Sequence, residues 1–79
     1  REGCWAADDI EIFREHIQPG DMVLDVGANI GHHAVVFSKL VGDAGMVMAF
    51  EPQTQMFQLL NANCVINGRR NIVPVNAAV

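Results

Sequence analysis

Asp25-Val26-Gly27-Ala28-Asn29-Ile30-Gly31 is the stretch whose reading decides the fold of this 79-residue chain. Pro19-Gly20-Asp21 just before it is turn chemistry, and Met22-Val23-Leu24 is rich in strand formers, so a buried strand is expected to end near Val26. A tight turn follows, and a helix starts at about Gly31. Gly27 permits backbone angles closed to residues with a Cβ and lets a ligand approach the main chain, while Gly31 lets the helix begin close against the strand. The first N–H groups of that helix are expected to lack internal partners and to point into the crevice at the strand's carboxyl end. The helix dipole favours negative charge there, so the crevice suits a nucleotide or a carboxylate.

Downstream, Ala34, Phe37, Leu40 and Val41 make one helical stripe that Val35 and Val36 widen, which predicts a largely buried helix stopped by Gly42-Asp43-Ala44-Gly45. Met46-Val47-Met48-Ala49-Phe50 is a second strand, nearly continuous in apolar residues as a parallel strand covered on both faces should be. The pair forms a right-handed βαβ unit. Glu51-Pro52 ends the second strand, and Thr54 is the expected cap of another helix. In that helix Phe57, Leu60 and Cys64 share a face with Met56 beside them, and Asn67-Gly68 closes it. Asn71-Ile72-Val73-Pro74-Val75-Asn76 is a third strand, and Pro74, with no N–H to give, places it at a sheet edge.

The fold class expected is therefore α/β, a partial doubly wound, Rossmann-like, three-layer arrangement with parallel strands in the order 3-2-1. The far side of the first strand is expected to await a fourth strand that this chain lacks. Upstream, Asp8-Asp9-Ile10-Glu11 resembles a capping box, and Ile10, Phe13 and Ile17 recur at helical spacing, predicting a preceding helix from about Asp9 to Ile17. Trp5 before it either packs or covers the crevice.

Nine acidic residues against five basic give a net charge of −4, with no basic run beyond Arg69-Arg70, so nucleic acid is not an expected partner. Cys4 and Cys64 lie far apart with no Cys/His cluster, which argues for core thiols in a reduced, cytoplasmic setting and against a metal site. No apolar run approaches the roughly 20 residues needed to span a bilayer, so no membrane partner is expected either. The chain opens on Arg1 and closes on Val79 directly after a strand. Residues 1–79 are accordingly expected to be a piece of a longer α/β protein.

Glu51 falls at the tip of the second strand, beside the glycine turn. Neighbouring strand tips lie about 4.8 Å apart, so a nucleoside resting on the first can present its ribose hydroxyls to a carboxylate on the second. The plain alternative is that Glu51 merely starts the next turn. A dinucleotide fingerprint needs glycine at its first, third and sixth positions, and Gly27, Asn29 and His32 supply only the first. A nicotinamide oxidoreductase with a degenerate loop stays open on these residues, as does a non-catalytic binding module that keeps the fold.

Asp25-x-Gly27-x-Asn29-x-Gly31 resembles the first motif of class I S-adenosylmethionine-dependent methyltransferases, with Asn where many have a middle Gly. More narrowly, Pro19-Gly20-Asp21-x-Val23-Leu24-Asp25-Val26-Gly27-Ala28-Asn29-Ile30-Gly31, then Phe50-Glu51-Pro52, Leu60-x-x-Asn63 and Asn76-x-Ala78, resembles the FkbM family over nearly the whole chain. The resemblance implies an S-adenosyl-L-methionine cofactor. It further implies that Gly27 to Gly31, including Ala28 and Asn29, hold the methionine portion and that Asp25 fixes its amino group. Glu51 of the Glu51-Pro52 pair would hold the ribose, and Asn76 with Ala77 would sit beside the adenine. The implied reaction is O-methylation of a sugar or secondary metabolite, the partner being a small-molecule or glycan methyl acceptor.

Methyl transfer of this kind is an in-line displacement that draws its rate from orientation and desolvation, with a base needed only for a hydroxyl acceptor. No catalytic base is assigned. His32 and His33 occupy adjacent helix positions, about 100° apart, and cannot readily chelate one ion together. In class I methyltransferases acceptor contacts come largely from the carboxyl half, so this segment, the amino-terminal, cofactor-binding half that the resemblance implies, is expected to bind cofactor weakly or not at all and not to turn over alone.

Overall fold

The computed structural model describes residues 4–7 and 16–78. Four strands run in the order β1 (Cys4–Ala7), β2 (Met22–Val26), β3 (Met46–Phe50) and β4 (Ile72–Val75), with every neighbouring pair parallel. Helix α1 (His32–Val41) joins β2 to β3, and α2 (Thr54–Ile66) joins β3 to β4. The three strands expected from the sequence are β2, β3 and β4, and their order β4-β3-β2 is the 3-2-1 winding of a Rossmann-like sheet.

Period-2 burial shows why these segments are strands. Val23, Val47, Ala49 and Ile72 are buried in one core with Ala34, Phe37, Val41, Leu60 and Cys64, and Asp25, on the same face of β2, is buried too. The alternate residues Met22, Val26, Met46 and Val73 lie on the other face and are 37–45% exposed. Apolar residues on both faces are what a strand meant for cover on both sides supplies. The winding is carried by short hydrogen-bonded turns. Gly20, at φ +89, donates to the Val41 carbonyl at 2.7 Å, and the buried Asp21 carboxylate accepts the Gln18 amide at 2.9 Å, which sets the entry of β2 against the end of α1.

At the amino-terminal end of the strands α1 is closed by side chains from the approach to β4. The Asn71 amide donates to the carbonyl of Ser38 (3.0 Å), which also accepts the Gly42 amide, and to that of Gly42 (2.9 Å), an acceptor beyond the last helical turn. The wholly buried Ser38 hydroxyl donates to Asn71 Oδ1 and accepts from Arg69 Nε at 2.7 Å. A serine within an apolar stripe is thus a tie between helix and sheet, which helical periodicity could not show.

Two expectations change, and a third lies largely outside the described residues. The far side of β2, read as vacant and awaiting a fourth strand, is occupied by β1, paired residue for residue from Cys4↔Met22 to Ala7↔Asp25. A four-residue segment with no alternation to read carries no strand signature, so its pairing is decided by the open β2 edge. Residues 9–15 of the helix expected from Asp9 to Ile17 lie outside the described residues, and at its carboxyl end Ile17 is not helical. Thr54 begins α2 but does not cap it: the cap is Gln53, which makes no side-chain bond. Pro74 stands in the edge strand β4, as its missing N–H requires.

Candidate active site: the crevice at the carboxyl ends of β2 and β3

Between β2 and α1 the chain enters the left-handed region three times in five residues, at Gly27 (φ +69), Asn29 (φ +54) and Gly31 (φ +90). Asparagine is the side chain that best tolerates this geometry, which accounts for Asn29 where a glycine would serve. The two glycines have separate reasons. A Cβ on Gly27 would meet nothing within 4 Å and would stand in the open crevice, whereas one on Gly31 would lie 2.7 Å from Leu60 Cδ1 of α2. Gly31 is therefore small because a buried leucine fills the space behind it.

The loop is held from three sides. The Phe50 carbonyl, at the end of β3, accepts from both Gly27 (2.9 Å) and Ala28 (3.0 Å), and Gly31 donates back to Ala28 O at 2.9 Å. Glu51, only 3% exposed, accepts the Asn29 amide on Oε1 at 2.8 Å and the Gln53 amide on Oε2 at 3.0 Å. From α2 the Asn63 side chain donates to the Ile30 carbonyl at 2.8 Å. Amides 27, 28, 29 and 31 are thus engaged within the protein. Those of 27, 28 and 29 are bonded to Phe50 and Glu51 at the end of β3, and that of 31 to Ala28 within the loop; the first N–H groups of α1 belong to the residues that follow. A loop that cradles a pyrophosphate presents such amides to its ligand. This one does not, which counts against the dinucleotide reading.

Asp25, Gly27, Ala28, Asn29, Ile30, His32 and His33 line a cavity of about 260 Å³ at this end of the sheet. Asp25 (4% exposed) and Ala28 are buried, while Asn29 and both histidines are exposed. His33 packs edge-on against Phe37 with ring centroids 6.4 Å apart. Asn76, just past β4, donates through its side-chain amide to the carbonyls of Glu51 (2.9 Å) and Pro52 (3.2 Å), and Glu51 N donates to Val75 O at 2.9 Å. The tips of β3 and β4 are therefore tied together, bringing Asn76 and Glu51 to one place. Pro52 and Ala77 lie exposed beside them.

Of the residues singled out from the sequence, the structure gathers Asp25, Gly27, Ala28 and Asn29 around one cavity, with Gly31 behind it and Glu51, Pro52, Asn76 and Ala77 along the adjoining strand tips. The tying role of the Glu51 carboxylate was not read from the sequence, nor was that of Asn63; the spacing Leu60-x-x-Asn63 was the available sign, since it sets both on one side of α2 facing the loop. Among the described residues no three His, Cys, Asp or Glu side chains form a metal-binding group, and no helix is long and apolar enough to cross a membrane. Burial raises the Cys64 thiol pKa above its ordinary value.

A parallel sheet wound 3-2-1, a glycine turn after its first βα strand and a buried acid at the next strand tip make a Rossmann-like arrangement, the fold shared by the solved S-adenosylmethionine-dependent methyltransferases it resembles. Within it the chain belongs to the protein-L-isoaspartate (D-aspartate) O-methyltransferase family, whose profile matches residues 5–77. The chain is 36% identical over 58 residues, 73% of its length, to the protein-L-isoaspartate O-methyltransferase of Aeropyrum pernix, and covers 22% of that protein. It is 47% identical over 62 residues, 78% of its length, to the 31-O-demethyl-FK506 methyltransferase FkbM of Streptomyces tacrolimicus, again covering 22% of the relative. The crystal structure of a SAM dependent methyltransferase from Aquifex aeolicus superimposes with a TM-score of 0.80 at 30% identity, covering 87% of this chain and 38% of that one. The chain thus spans about a quarter of the length of the curated relatives it matches. The FkbM resemblance is carried by one relative, and the family profile is that of the isoaspartate enzymes.

Proposed function

We propose that this chain is the cofactor-binding segment of an S-adenosylmethionine-dependent O-methyltransferase. The observation that carries the reading is the cavity built on Asp25 and the 27–31 loop, with the loop's amides tied to Phe50 and Glu51. A sulfonium cofactor is a cation bearing an amino acid and asks for no phosphate cradle. It needs an acceptor for its ammonium group, which Asp25 supplies at the cavity wall, and a close main-chain approach, which the absent Cβ of Gly27 permits. Glu51 is assigned to the ribose with its remaining lone pairs, two of the roughly four on a carboxylate being engaged by Asn29 and Gln53. Pro52, Asn76 and Ala77 border the adenine side. When bound, the cofactor supplies the methyl group; Asp25, the loop and Glu51 orient it and keep water from its amino-acid end.

Two acceptors divide the finer reading. The 47% identity to a 31-O-demethyl-FK506 methyltransferase favours a hydroxyl on a sugar or secondary metabolite. The family profile favours a protein carboxylate of the isoaspartyl kind. The chemistry differs: a carboxylate is already nucleophilic at neutral pH, and a hydroxyl needs a base.

The test is calorimetric titration of the protein with S-adenosylhomocysteine and, separately, NADH. Saturable binding of the first alone supports the reading, and binding of NADH alone overturns it. With labelled S-adenosylmethionine and each acceptor class, mild alkali separates the products, since a methyl ester releases methanol and a methyl ether does not.

A further inference from the structure

Asn63 lies on α2, outside every residue assigned to the cofactor, and yet its side chain reaches the centre of the loop that lines the cavity. Its Nδ2 donates to the Ile30 carbonyl at 2.8 Å, across 33 residues of sequence. Ile30 stands between two left-handed residues, Asn29 and Gly31, so its carbonyl reports the orientation of the peptide plane that joins the loop to α1. Left-handed backbone is strained at a residue with a Cβ and persists only where surroundings over-determine it. Here they do so from opposite sides, Glu51 taking the Asn29 N–H and Asn63 giving to the Ile30 C=O.

The amide of Asn63 is itself oriented. Asn67, one turn further along and at the carboxyl cap of α2, donates its Nδ2 to Asn63 Oδ1 at 2.9 Å and to Asn63 O at 2.8 Å. With Oδ1 accepting from Asn67, Nδ2 is left to face Ile30, so the two asparagines form a directed chain from the end of α2 to the loop. Leu60, one turn before Asn63 and fully buried, fills the space behind Gly31 and sets the distance between helix and loop.

We infer that Asn63 is a positioning residue, a latch from α2 that, with Asn67 orienting it, holds the 27–31 loop in its cofactor-receiving shape. This deepens the proposed function and rests on it for the affinity readout alone. The substitution that reads it is Asn63→Asp, which keeps size and the acceptor toward Asn67 but turns a carboxylate oxygen toward the Ile30 carbonyl. Asn61→Ala, on an exposed position of the same helix, is the control, and Asn67→Ala removes the orienting bond while leaving Asn63 in place.

Two measurements are made on each protein. Without ligand, hydrogen exchange of the Gly31 amide, which donates to Ala28 O inside the loop, is compared with exchange in the core strand β3. With ligand, the Kd for S-adenosylhomocysteine is measured. The latch requires Gly31 exchange to quicken on the order of tenfold in Asn63→Asp, and less in Asn67→Ala, with β3 exchange and the control unchanged. It also requires the Kd to rise about tenfold in Asn63→Asp. Unchanged Gly31 exchange overturns the latch whether or not ligand binds, and quickened exchange with an unchanged Kd overturns its positioning role. If the unsubstituted protein ignores S-adenosylhomocysteine, it is the functional reading that fails, and the exchange measurement still decides whether the latch exists.

Discussion

Glu51 and Asn29 meet across 22 residues of sequence, the buried carboxylate at the tip of β3 accepting the main-chain amide of a residue held at φ +54. The second carboxylate oxygen takes the Gln53 amide at 3.0 Å, so one side chain fixes both the loop before α1 and the turn before α2. The residue assigned to the ribose is in this way also a strut of the site. Ligand recognition and loop geometry share one group.

Glu51→Gln tests that double role. The amide replaces one acceptor with a donor that must face either Asn29 N–H or Gln53 N–H. Loss of a charged acceptor from a buried bond costs about 1.5–3 kcal/mol, so the free energy of unfolding should fall by that amount and the denaturant midpoint with it. A mere turn-starting glutamate would lose little, and an unchanged midpoint would remove Glu51 as a strut.

Gly31→Ala places a methyl at a φ of +90 and 2.7 Å from Leu60 Cδ1. Backbone strain alone should cost about 1–2 kcal/mol. Leu60→Ala in the same protein relieves the contact but not the backbone, so in a double-mutant cycle the two losses should sum to more than the combined change. Strict additivity would show that the leucine does not press on the loop.

Ser38→Ala acts at the other end of the strands. Removing the hydroxyl leaves Arg69 Nε and Asn71 Oδ1 short of a partner in a part-buried setting, an expected loss of about 1–3 kcal/mol. Because the cluster stands a full strand length from the loop, S-adenosylhomocysteine affinity of the folded protein should be unaltered. A matching loss of affinity would show that the two ends communicate.

Cys64 supplies the pH dependence. Burial raises its thiol pKa, so the folded protein keeps this proton where the unfolded chain, at the ordinary value of 9.0, begins to lose it. The contribution is whole below pH 9.0 and declines as pH rises through the folded value. Unfolding measured from neutral to alkaline pH should therefore show a loss of stability above that point which Cys64→Ala lacks, and thiol-directed alkylation at neutral pH should be slow. Equal alkaline slopes in both proteins would contradict this.

Much of the architecture was legible because it is written locally. Strand and helix periods, the glycine turn and Pro74 each report a backbone preference that neighbours in sequence already state, and together they yielded three parallel strands, their order and the edge position of β4. The site's outline was legible too, since residues at strand tips and the turn after β2 must converge in a wound sheet. The bonds of Glu51 to Asn29, Asn63 to Ile30 and Ser38 to Asn71 could not be read, because these partners lie 22 to 33 residues apart and are brought near only by packing. Pairing of β1 beside β2 and the engagement of the loop amides by Phe50 and Glu51 have the same cause. Periodicity states which face of an element is apolar, whereas a hydrogen bond across elements depends on distances of a few tenths of an ångström that only the assembled core determines.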